Sequence, residues 1–284
     1  MAHSGPVMGS GSRLVPSVAA ALAAFALVVA LAGGGLFFFF LVVAVQSGCG
    51  CTSTPSPYAG GPTPTPLPVS ESQAAAAARP FTGISMTATY WGTAAGEPIY
   101  ELSGSGTYGF VDGETGRVLQ VFELDEMPDS DATAVTAPAA QAAGAAYLRA
   151  AGVSTIGTTV SVVLQYRASI AFYDAVWSDA ASGGFSFEVL VSPSTGVVFA
   201  FVDLGFAPKV KLAPPVVGSA ASARLAQASS YAAGQAPGSP PDFQVVTGTS
   251  GEPLFSWWIG YNDGVLSVDA ETGQVAIVKW ISSR

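Results

Sequence analysis

The sequence predicts an α+β fold: an N-terminal transmembrane or signal helix, then three repeats of one helix packed on a three- to four-stranded antiparallel sheet. Three observations predict it. A turn of nearly constant wording recurs: VDGETGRV at residues 111–118, VSPSTGVV at 191–198 and VDAETGQV at 268–275. Alanine-rich stretches precede the second and third turns, at 137–152 and 219–234, and each stops at a glycine. Between stretch and turn lie β-branched and aromatic segments of strand length.

The first element is a membrane device. Residues 1–13 carry Arg13, and the run at 18–45 that follows is uncharged and almost wholly apolar. As a helix that run would reach roughly 42 Å at about 1.5 Å per residue, enough to cross a bilayer with tilt. No Lys or Arg follows until Arg79, so residues 1–13 are expected in the cytoplasm and everything after Val45 outside. Two readings stay open for the membrane segment, residues 14–46. It is longer than the apolar part of a cleaved signal peptide, which favours an uncleaved anchor. Ser47-Gly48-Cys49 resembles the end of a bacterial lipobox, which would make Cys49 a lipidation site. Gln46 departs from that pattern, which has an aliphatic residue there. Either reading places the protein at a cell membrane, single-pass or lipid-anchored, with its C-terminal part extracytoplasmic. Residues 47–69, rich in Pro, Ser and Thr, cannot form helix and read as an extended spacer.

The repeats come next, at 70–131, 132–208 and 209–284. The turn glycines Gly116, Gly196 and Gly273 stand 80 and 77 residues apart. Copies one and three also share GEPIY at 96–100 and GEPLF at 251–255. The first helix reads as a stub over 70–79, with a capping box from Ser70 and Gln73 and an early stop at Pro80. Strand segments follow in each copy: ISMTATYW, PIYELSG, TYGFV and RVLQVFE in the first; TTVSVVLQY, ASIAFYDAVW, FSFEVLV and VVFAFVD in the second; DFQVVTG, EPLFSWWIGY, GVLSV and QVAIVKW in the third. Such strands bury one face under the helix.

The turn itself has a structural mechanism. In D-x-x-T-G the aspartate accepts backbone N–H bonds from the residues two and three ahead, threonine supports the turn, and glycine takes the positive φ. Asp112, Thr115 and Gly116 fill these roles in copy one, and Asp269, Thr272 and Gly273 in copy three. Copy two has Ser192 with Thr195 and Gly196. A calcium site is the rival reading, but two carboxylates per turn fall short of a calcium loop, and copy two has none.

A helix followed by strands that end in VDxxTGxV resembles the PepSY family of small extracytoplasmic domains. Residues 108–118 and 265–275 carry the resemblance, with a degenerate copy at 185–198. It implies small helix-on-sheet modules like those of protease propeptides and tethered surface proteins, and an inhibitory or chaperone-like contact with a peptidase. It implies no catalytic residues.

Composition narrows the function further. With 10 Lys plus Arg against 19 Asp plus Glu, the chain would repel nucleic acid, so no nucleic-acid partner is expected. The one histidine is His3, and the two cysteines are Cys49 and Cys51. The folded part therefore lacks the groups for Ser-His-Asp or Cys-His catalysis and for His or Cys metal sites. No cofactor, metal site or catalytic residue is expected, and the protein is not expected to be an enzyme. A carboxylate-dependent hydrolase, with Glu101, Glu188 or Glu252, ranks third among functions. The acidic run at 123–131 reads as a solvated linker, with a basic partner or cation as its functional alternative. Trp257 and Trp258 are adjacent in a strand and point to opposite faces, so one is expected in the core and the other buried between repeats, with contact to a partner as the alternative. The expected function is a membrane-anchored extracytoplasmic binding protein that contacts a peptidase or peptide. The alternative is a structural or ligand-binding envelope module without a peptidase partner.

Overall fold

The computed structural model describes residues 67–94, 96–179, 186–205, 214–248 and 251–280. The membrane segment, Cys49 and the spacer up to residue 66 lie outside the described residues. Among the described residues no helix is long and apolar enough to cross a membrane.

Helix α1 (Glu71–Thr82) starts at the expected capping box: Gln73 N donates to Ser70 Oγ at 3.3 Å, and Ser70 N to Gln73 Oε1 at 2.8 Å. It does not stop at Pro80. A proline near the C-terminal end removes one helical hydrogen bond without closing the last turn, and Gly83 ends the helix at φ 69°. Strands β1 (Thr87–Ala94), β2 (Glu97–Gly104), β3 (Thr107–Asp112) and β4 (Val118–Glu123) follow, then a 3₁₀ turn at Leu124–Glu126. Helix α2 (Ala137–Ala150) leads to β5 (Thr158–Arg167), β6 (Ile170–Asp179), β7 (Ser186–Val191) and β8 (Val198–Asp203). Helix α3 (Ser219–Ala228) is shorter than its alanine-rich stretch, and β9 (Asp242–Thr247), β10 (Pro253–Tyr261), β11 (Gly264–Asp269) and β12 (Val275–Trp280) complete the chain.

These elements do not form three helix-on-sheet repeats, and the α+β expectation is corrected. The described protein is mostly β: one antiparallel sheet of eight strands, in the order β1-β2-β3-β4-β8-β7-β6-β5, and one of four, β12-β11-β10-β9, with three short helices. The cause lies in the strands that end the first two copies. From Val118 to Phe122 every residue of β4 is buried, and so is every residue of β8 from Phe199 to Asp203. Strands apolar on both faces need cover on both faces and cannot serve as a solvated edge. They pair with each other, Val121 opposite Phe201, and fuse two sheets into one.

One face of the large sheet lies under α1 and α2. Its core joins Ala74, Ala78 and Leu148 of the helices to Leu102, Val111, Val121, Val189, Phe201 and Trp177. The opposite face, with Ile99, Phe110, Phe122, Phe172 and Leu190, packs against α3 and the inner face of the small sheet: Phe243, Phe255, Trp257, Ile259 and Leu266. Phe122 and Phe255 meet edge-on with ring centroids 4.9 Å apart. The last spacer residues belong to this body. Val69 is buried, and its carbonyl accepts the Tyr100 hydroxyl at 2.7 Å.

Candidate functional site

The three hairpin turns are built by their own residues. Glu114 N and Thr115 N donate to Asp112 Oδ1 at 2.7 and 3.4 Å, and Thr115 Oγ1 donates to Asp112 Oδ2 at 2.8 Å. In the third turn Glu271 N and Thr272 N donate to Asp269 Oδ1 at 2.9 and 2.7 Å. Ser192 Oγ instead meets Ser194 Oγ at 3.0 Å. Thr195 Oγ1 still accepts Val197 N, as Thr272 Oγ1 accepts Gln274 N. Gly116, Gly196 and Gly273 hold φ between 73° and 79°, the left-handed region that glycine enters without strain. The Asp112 and Asp269 carboxylates are spent on donors of their own turns, and Glu271 lies 3.8 Å from Arg167. Among the described residues no group of three or more His, Cys, Asp or Glu could hold a metal ion.

The adjacent tryptophans divide between the faces of β10. Trp257 is 5% exposed, and its Nε1 donates to Val217 O at 2.7 Å, which pins the strand to the segment entering α3. Trp258 is half-buried on the outer face, its Nε1 bonded to Ser256 Oγ at 3.1 Å, in the same strand row as the exposed Leu254. Glu101 and Glu188 are kept apart. Strands β3, β4 and β8 lie between β2 and β7, a path of roughly 19 Å at about 4.8 Å per strand. Glu252 stands in the β9–β10 turn, beside Gly248.

Two pairings escaped the sequence reading. The first is Asp174 with Glu188, on neighbouring strands β6 and β7, their side chains hydrogen-bonded to each other. Burial pushes the Glu188 carboxyl up to about 7; the Asp174 charge adds to this and Arg167 opposes it. The pair lines neither of the grooves below. Its only sequence signal is the alternation of a lone acid within two apolar strands.

The second is a groove between the sheets. It has a volume of about 500 Å³ and is lined by Tyr108, Phe243 and Trp257, by Asp125, Asp129 and Asp242, and by backbone at Gly104 and Gly106. The three rings form a continuous wall: Tyr108 and Phe243 centroids are 5.4 Å apart, Phe243 and Trp257 4.9 Å. Burial, helped by Glu101 and Asp242, raises the Tyr108 phenol, which stays a neutral donor. Part of the acidic run thus has a position that a solvated linker would lack. Asp129 Oδ1 accepts Ala221 N at 3.1 Å in the first turn of α3, and Asp129 O accepts Arg224 Nη2. The helix begins at Gly218, which has no side chain for capping, and a Cβ there would collide with Asp129 Oδ1. Asp129 therefore caps from a distance the helix whose own N-cap is bare. A second groove of about 510 Å³, on the helix side, surrounds Arg117 and Asp203. There Arg117 Nη2 donates to the buried Asp203 Oδ1 at 2.7 Å, so the two charges satisfy each other.

Aromatic faces beside carboxylates suit a cation, whose charge both kinds of group attract. Neither known families nor curated proteins give a match to this chain. Among solved structures the Bacillus megaterium YpeB C-terminal domain is similar, at 17% identity and a TM-score of 0.39, covering 74% of this chain and 98% of that one. At that identity and score the likeness transfers no residue and no role.

Proposed function

We propose that the protein is a membrane-anchored extracytoplasmic binding protein whose groove between the two sheets takes an extended peptide or protein segment through a basic side chain. The observation that supports this reading is the wall of Tyr108, Phe243 and Trp257 facing Asp125, Asp129 and Asp242. A Lys or Arg stem would lie on the rings while its charge meets the carboxylates. A peptidase, through a surface loop, is the first partner to test, because the VDxxTGxV hairpins resemble those of PepSY domains. The test titrates the full chain in detergent micelles with lysine-containing and lysine-acetylated forms of one peptide, following tryptophan emission. The lysine form is expected to bind at least tenfold more tightly, and Asp242→Asn to reduce that preference severalfold. Equal binding of the two forms, or none at millimolar peptide, would reject the groove. In parallel, a co-secreted peptidase is assayed with and without the chain at near-equal concentrations; no change in its rate removes the peptidase and leaves peptide binding standing.

A further inference from the structure

The seam between β4 and β8 is self-complementary. Gln120 stands opposite Val202, Val121 opposite Phe201 and Phe122 opposite Ala200. Counted from Gly116 and Gly196, the fourth, fifth and sixth residues of one strand meet the sixth, fifth and fourth of the other. A local two-fold axis therefore passes through the pair Val121–Phe201. In the third module the corresponding residues after Gly273 are Ile277, Val278 and Lys279 of β12. That strand ends the small sheet and, among the described residues, pairs only with β11. Ala276, Ile277 and Lys279 are exposed, Ile277 by 45%.

We infer that two copies of this chain form a two-fold dimer through β12, antiparallel and centred on Val278, joining two four-stranded sheets into one of eight. The dimer repeats between chains the seam that β4 and β8 make within one. An edge strand offers a row of unpaired N–H and C=O groups, and a second copy of the same strand satisfies both rows at once. Each Ile277 would face Lys279 of the second copy, whose methylene stem covers it while the ammonium stays in water. Other edges fit a seam less well. Strand β9 follows Pro240 and Pro241, and no seam within the chain uses the equivalent of β1. Strand β5 is unbroken and exposes Val163 and Tyr166, but no seam within the chain uses its equivalent.

The experiment uses the full chain in detergent micelles with Cys49 and Cys51 changed to serine. Sedimentation at tens of micromolar is expected to show a dimer, and Ile277→Lys a monomer. Under oxidation Val278→Cys is expected to cross-link most chains, whereas Ala276→Cys, set opposite Trp280 in this register, is not. The bulge between β11 and β12 falls at Val278, two positions later in the repeat than the bulges at Leu119 and Phe199, so cross-linking tests whether the seam register holds there. A monomeric parent chain overturns the proposal. So does a dimer that survives Ile277→Lys, which would assign association to the apolar N-terminal run, or to β5 if Val163→Lys abolishes it. A dimer lost in Ile277→Lys, with cross-linking in Ala276→Cys and none in Val278→Cys, overturns the two-fold at Val278. Tryptophan emission checks that each variant is folded, and if Val278→Cys is not, sedimentation of the parent and Ile277→Lys decides.

Discussion

Glu188 offers a test of how the large sheet is buried. It sits on β7 opposite Val176 and Val202, on the sheet face that also carries Leu190 and Phe172 and is turned toward the third module. Burial holds its carboxyl at about 7, against an ordinary value of 4.5. Below the ordinary value the group is protonated in both folded and unfolded chains, and it contributes no pH dependence. Between there and neutrality the unfolded chain gives up its proton while the folded chain keeps it. Stability therefore falls as pH rises through this window and levels off above it. At about 1.4 kcal/mol per pH unit over roughly two and a half units, the full loss is on the order of 3 kcal/mol. Asp174, also raised by burial, acts in the same direction, while Arg167 opposes both. Glu188→Gln keeps the shape, can still donate to Asp174, and never ionises. Denaturant unfolding from pH 5 to 8 should show parent stability falling by about 2–3 kcal/mol. The variant should change much less and be the more stable protein at pH 8. A parent curve that is flat over this range, or a variant no more stable at pH 8, would refute the buried placement of Glu188.

Gly144, in the middle of α2, lets the helix sit on Trp177; a Cβ there would fall 2.5 Å from the ring carbon Cη2. In an open helix Gly→Ala gains about 1 kcal/mol, but overpacking costs about 1–3 kcal/mol, so Gly144→Ala should lower the unfolding midpoint. A raised midpoint would contradict the close approach of helix and sheet. Gln120 is fully buried on β4, and neither its Oε1 nor its Nε2 has a hydrogen-bond partner. A buried unpaired amide costs about 1–3 kcal/mol, so Gln120→Met should stabilise the protein by roughly 1 kcal/mol in denaturant unfolding. Loss of stability would mean that the amide is satisfied in solution.

What could be read in the sequence was local, and what could not be read was decided by distant partners. The D-x-x-T-G turns were legible because Asp112 and Asp269 bond to donors two and three residues ahead. The opposite faces of Trp257 and Trp258 follow from strand alternation alone. The atom that Trp257 reaches, Val217 O, lies 40 residues away and has no local signal. The same limit applies to the sheets. The apolar residues on both faces of β4 and β8 were visible, but equal burial could have come from a helix on one side and another repeat on the other. Only the pairing of Val121 with Phe201 turns two sheets into one. Asp129 was hardest to place, because its acidic neighbours make a solvated linker the natural reading, while its function in the fold depends on a bare Gly218 far along the chain. The groove has the same origin. Asp125 and Asp129 come from the connection after β4, and Asp242 from the start of β9. No spacing rule links them, because they meet only when the small sheet packs its aromatic face onto the large one. A binding site assembled at such a junction is then sensitive to anything that loosens the packing. Peptide affinity should therefore be read together with stability, since a variant that weakens both reports on the junction, while one that weakens affinity alone reports on the groove.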